Sequence, residues 1–116
     1  MKKKIFLMLT LIFTSEHSVF AANECIAITN NSPIAVEFDS LVSPGDSYTV
    51  QPKASATLSR DHMAGACSGT DSCAVTVAYV DHSGFSIIYD LPPGTHIVYH
   101  GTYQYDLNKN AHVPCK

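Results

Sequence analysis

The chain has 116 residues, seven basic and ten acidic side chains, a formal net charge of −3 and 46% hydrophobic residues. This balance argues against nucleic acid as a partner, because displacing phosphate counterions requires a cationic surface. An anionic membrane surface is disfavoured for the same reason.

The first segment reads as an export signal, residues 1–21. Lys2, Lys3 and Lys4 precede an apolar run from Ile5 to Phe13, broken only by Thr10, and Ala21 supplies a small residue at the expected cut. The run is too short to span a bilayer, which takes about 20 residues. Cleavage after Ala21 leaves a single expected domain of 95 residues, Ala22–Lys116, with four basic and nine acidic side chains. No membrane insertion is expected after cleavage. The short lysine-rich start points to a bacterial protein exported to the periplasm or beyond.

Beyond the signal, apolar and polar residues alternate between turns. Ile26 and Ile28 share one strand face, and Ile34, Val36 and Phe38 share another after the turn at Asn30–Pro33. Pro44-Gly45 suits a type II turn. Tyr48 and Val50 face one way, as do Ala54, Ala56 and Leu58. Residues Arg60 to Ser72 are expected as a long loop. Alternation returns at Val75, Val77 and Tyr79, and Asp81 to Gly84 has type I turn residues at its ends. Phe85, Ile87 and Tyr89 share a face, Pro93-Gly94 turns again, and two runs from His96 and Thr102 complete an expected meander. Ile87-Ile88 and Ile97-Val98 are apolar on both faces, which implies deep burial or a partner-facing side. Strand-length runs of β-branched and aromatic residues between short turns predict an all-β fold. It is an antiparallel sandwich of seven or eight strands, immunoglobulin-like in architecture.

The mature part holds all four cysteines, Cys25, Cys67, Cys73 and Cys115. An even count in a small exported chain reads as a disulfide framework. The expected pairs are Cys67 with Cys73, clipping a loop, and Cys25 with Cys115, joining the chain ends. The five-residue gap in "CSGTDSC" exceeds the usual two to four of a structural zinc pair. His62, Met63 and Cys67 have residue types found in a blue-copper site, but in the reverse of the cupredoxin loop order.

The remaining side chains give weak signals for chemistry. His96 and His100 share a strand face at about 13 Å, too far to chelate one ion directly. His82 reads as a turn residue. Ser59, Asp61 and His62 contain the types of a hydrolase triad, but no G-x-S-x-G elbow accompanies them. No cofactor, no resident metal and no catalytic residue are therefore expected. Tyr99, Tyr103 and Tyr105, with His100 among them, offer rigid apolar faces with polar tips. Tyr103 and Tyr105 are expected to share a strand face as a stacking platform.

These residues predict a non-catalytic binding module for a protein or glycan. Its expected contacts are His62, Met63, Ser68, Thr70 and Asp71 in the clipped segment, and Tyr99, His100, Tyr103 and Tyr105 near the end. A periplasmic copper or zinc protein using His96, His100 or His112 is one alternative. An inhibitor presenting the clipped loop to an exported hydrolase is another.

Overall fold

The computed structural model describes residues 24–41, 47–68, 70–81 and 83–115. The expected signal segment, the Pro44-Gly45 turn, Gly69 and His82 lie outside them. Among the described residues, eight strands and one helix follow in chain order: β1 Ala27–Asn30, β2 Val36–Ser40, β3 Tyr48–Val50, β4 Ser55–Thr57, α1 Arg60–Cys67, β5 Cys73–Tyr79, β6 Phe85–Leu91, β7 His96–Gly101 and β8 Gln104–Asn108. The strands form two sheets of four, in the orders β4-β1-β7-β8 and β3-β2-β5-β6. This is the disulfide-stabilised β-sandwich expected from the alternation.

The core lies between the sheets. Ile28 and Ile97 from the first sheet, with Ile26 just before β1, meet Val36, Phe38, Val75, Val77 and Ile88 from the second, all at most 1% exposed. Burying each such side chain contributes about 1.5–3 kcal/mol. Register confirms the alternation: Val36 faces Tyr79 and Phe38 faces Val77 across β2 and β5.

Two features depart from a simple antiparallel meander. First, β1 pairs in parallel with β7, Ala27 opposite His96 through Asn30 opposite Tyr99. The long connection between them, running through the second sheet, supplies the crossover that a parallel pair needs. Second, β6 does not continue into β7 within one sheet. At Leu91 the chain leaves the second sheet, turns through Pro92-Pro93-Gly94, and enters the first at His96. Gly94 takes φ +95°, donates its N–H to the Cys25 carbonyl at 2.8 Å, and carries no Cβ to collide with Glu24. Thr95 closes the corner by donating from Oγ1 to the Pro92 carbonyl at 2.7 Å.

The expected loop at Arg60–Ser72 is largely helical. Ser59 is the N-cap of α1, its Oγ accepting the His62 N–H at 3.2 Å, and Asp61 places negative charge in the first turn. Ser68 ends the helix at φ 51° and donates its N–H to the Ala64 carbonyl at 3.0 Å. Met63, Ala66 and Cys67, at i, i+3 and i+4, are the buried stripe.

Both expected disulfides are present, Cys25–Cys115 and Cys67–Cys73. The first joins residues 90 apart in sequence, beside a bridge between Glu24 and Pro114 and a 2.8 Å bond from the Cys25 N–H to the Val113 carbonyl. The second ties the end of α1 to the first residue of β5. Among the described residues, no helix is long and apolar enough to cross a membrane.

Candidate functional site

The residues expected to bind in the clipped segment divide by burial. Met63 is 5% exposed and belongs to the core, so it offers nothing to a partner. Ser68, Thr70 and Asp71 are exposed. Thr70 folds the connection locally, donating from Oγ1 to the Cys67 carbonyl at 2.9 Å and accepting the Ser72 N–H at 3.1 Å.

His62 sits in a polar array. Ser59 Oγ lies 2.9 Å from His62 Nδ1, and Asp39 Oδ1 lies 3.6 Å from His62 Nε2. The carboxylate facing the ring is therefore Asp39 of β2, not the Asp61 suggested by adjacency in sequence. Tyr48 of β3 meets the imidazole edge-on, with centroids 5.1 Å apart, and accepts the Ser59 N–H at 2.9 Å. Asp39 Oδ1 also accepts the Ser40 N–H at 2.7 Å. Ser59 Oγ already caps the helix, and the His62–Asp39 gap exceeds hydrogen-bond length. These contacts account for the array as the anchor of α1 against β2 and β3.

The tyrosines also separate. Tyr99 is 2% exposed and packs edge-on against Tyr79 at 6.2 Å, inside the sandwich. Burial pushes its hydroxyl pKa well above the ordinary value, assisted by its hydrogen bond with Tyr79. Tyr105 lies opposite Tyr99 and packs against the core. Tyr103 instead occupies the β7–β8 turn at φ 63°, after Thr102 at φ 54°. The expected Tyr103–Tyr105 platform is not formed, because Thr102 and Tyr103 make the two-residue turn closed by the Gly101–Gln104 pair, which leaves Tyr103 outside β8. His100 is exposed and pairs with Asp106 at 2.8 Å.

The other histidines have separate partners. His96 Nε2 lies 2.7 Å from Thr29 Oγ1, and His112 Nδ1 lies 3.3 Å from Glu24 Oε2. Among the described residues, no group of three His, Cys, Asp or Glu side chains is placed to hold a metal ion. An open cleft of about 420 Å³ lies beside Glu24 and His112, with Asp71, Lys109, Pro92 and Pro93 on its walls. It mixes both signs of charge, and among the described residues no Phe or Tyr side chain lines it.

The arrangement that sequence reading missed is an aromatic surface on the β5–β6 hairpin. Val80, Phe85, Tyr89 and Tyr103 are 36%, 61%, 58% and 54% exposed; Phe85 and Tyr89 project from the outward face of β6, and Val80 follows β5. Tyr103 joins from the other sheet because its hydroxyl lies over Gly84, where a Cβ would collide with it. Two large apolar side chains on the same open strand face are the material of an interaction surface, whereas single exposed ones are not. Apolarity on both faces of Ile87-Ile88 was the available signal, and the structure resolves it: Ile88 is buried while the Phe85–Ile87–Tyr89 face turns outward.

No protein family, curated protein or solved structure matches this chain.

Proposed function

We propose that the protein is an exported, non-catalytic binding module that recognises a protein partner through the aromatic surface of the β5–β6 hairpin. The observation that carries this reading is the exposure of Phe85 and Tyr89 on the outward face of β6, with exposed Val80 following β5 and exposed Tyr103 reaching Gly84 from the other sheet. Tyrosine and phenylalanine supply large contact area with few rotatable bonds, which limits the entropy lost on docking. The two disulfides fit an oxidising compartment. They hold the frame that presents the surface. The export signal supplies the route. The contact surface thereby moves from the clipped segment to the hairpin, with Tyr103 common to both readings.

The test is capture by immobilised mature protein from culture fluid and from envelope extract. A V80S/Y103S variant with unchanged unfolding should retain markedly less of the bound protein. Equal retention by the variant would contradict the reading. Retention that survives protease treatment of the extract but is lost after glycan removal would replace the protein partner with a glycan.

A further inference from the structure

The four sheet edges are unequal. β3 and β4 are edge strands of three residues each. β8 carries the exposed carboxylate of Asp106, whose side chain is 81% exposed, and is followed by Lys109. Short length and charge are the usual protections against edge-to-edge pairing. β6 spans seven residues, Phe85–Leu91, and its first five, Phe85 to Tyr89, carry no charge and no proline. Among the described residues, its only ladder partner is β5.

A bulge sets the far limit of this edge. Val75 faces Ile88 but Cys73 faces Leu91, so β6 holds one extra residue there, and Asp90 takes φ 60°. Ser72 Oγ donates to Asp90 Oδ1 at 3.2 Å and holds the side chain back toward β5. The regular, open part of the edge is therefore Phe85–Tyr89, with Ile87 at its centre.

We infer that β6 is a self-recognition strand, and that the partner at this edge is a second copy of the same chain. This rests on the reading of the hairpin as a binding surface and names its occupant. In an antiparallel pair centred on Ile87, a two-fold axis passes between the two Ile87 residues. Phe85 of each copy lies opposite Tyr89 of the other, on the outward face. Such aromatic cross-strand pairs stabilise sheets, and a two-fold interface requires this kind of self-complementarity. Charge is compatible as well: the same register sets Asp90 opposite Gly84, so no acidic side chain faces another across the axis. The product is a continuous eight-stranded sheet with an aromatic and aliphatic stripe across the junction.

The test is sedimentation equilibrium of the oxidised mature protein over a wide concentration range. A reversible dimer is expected. I87K sets two like charges at the axis and should weaken association at least tenfold, as should F85K alone. F85K/Y89E should recover most of the lost association, because each introduced lysine then lies opposite an introduced glutamate. Since these positions are on the outer face, unfolding midpoints should stay close to the unsubstituted protein. If a variant does unfold, amide exchange of the unsubstituted protein supplies the second readout: protection of Phe85–Tyr89 should rise with concentration. A monomer at every concentration, a dimer indifferent to I87K, no recovery in F85K/Y89E, or concentration-independent exchange would each overturn the inference. A monomer that still captures another protein through Val80 and Tyr103 would overturn self-pairing while leaving the binding reading in place.

Discussion

The Tyr103 hydroxyl lies over Gly84, so the turn between β7 and β8 in one sheet rests on the hairpin between β5 and β6 in the other. This contact makes one surface of two loops. A methyl group at Gly84 would occupy the hydroxyl's position, and Gly84 does not take a positive φ that would forbid a side chain. G84A should therefore swing Tyr103 aside at a stability cost below about 1 kcal/mol. Capture of the partner should fall while the unfolding midpoint stays nearly unchanged. Full capture by G84A would show that the position of Tyr103 does not matter.

Asn30 is the polar centre of the β1–β2 connection. Fully buried, it donates from Nδ2 to the Ile34 and Val50 carbonyls, both at 2.9 Å, and its Oδ1 accepts the Ser32 N–H at 3.0 Å and the Ser32 hydroxyl at 2.6 Å. N30A removes the buried bonds to the Val50 carbonyl and the Ser32 N–H, while the part-buried Ile34 carbonyl keeps the Ser32 hydroxyl. The expected loss is about 2–4 kcal/mol, from a penalty of about 1–3 kcal/mol for each unsatisfied group, partly relieved by water. Denaturant unfolding measures it, and a loss below about 1 kcal/mol would contradict the assignment.

Ser86 gives the opposite expectation. Its hydroxyl is buried and has no hydrogen-bond partner among the described residues. Removing an unsatisfied hydroxyl relieves its desolvation penalty, so S86A should be neutral or up to about 1 kcal/mol more stable. A clear destabilisation would mean that the hydroxyl has a partner, such as bound water.

The raised pKa of Tyr99 makes stability depend on alkaline pH. Its hydroxyl ionises less readily in the folded chain than in the unfolded one, whose value is about 10. Its contribution is therefore complete below about pH 10 and is lost as pH rises above that toward the folded value. Chemical denaturation from pH 8 to 11 should show stability falling at the top of the range. Y99F should flatten the fall, and an unchanged slope in Y99F would remove Tyr99 as its source.

The disulfides should differ in effect. The chain-entropy estimate is about 4–5 kcal/mol for the long Cys25–Cys115 loop and about 2–3 kcal/mol for the six-residue separation of Cys67 and Cys73. Paired serine substitutions, C25S/C115S against C67S/C73S, test that order by unfolding midpoint.

Much of the sandwich was legible from alternation alone, because Val36, Phe38, Val75 and Val77 repeat at the strand period and all face the core. Helix α1 was not, since its stripe of Met63, Ala66 and Cys67 is short and surrounds Gly65. The Ser59 cap was its main local signal. The pairing of Asp39 with His62 joins residues far apart in sequence and left no trace in spacing. Tyr99 was legible in principle: it follows Ile97 by two, on the side that proved buried. The outward turn of Phe85 and Tyr89 was not, because β6 is apolar on both faces and only its register with β5, Val75 opposite Ile88, decides which face meets the core.

The binding reading depends on an exported chain whose sulfurs are all paired. Intact-mass measurement of the protein recovered from outside the cytoplasm, alkylated with and without prior reduction, tests this directly. The account predicts a 95-residue chain beginning at Ala22 that takes no label until reduced and four labels afterwards. A chain retaining residues 1–21, or four thiols reactive before reduction, would contradict it.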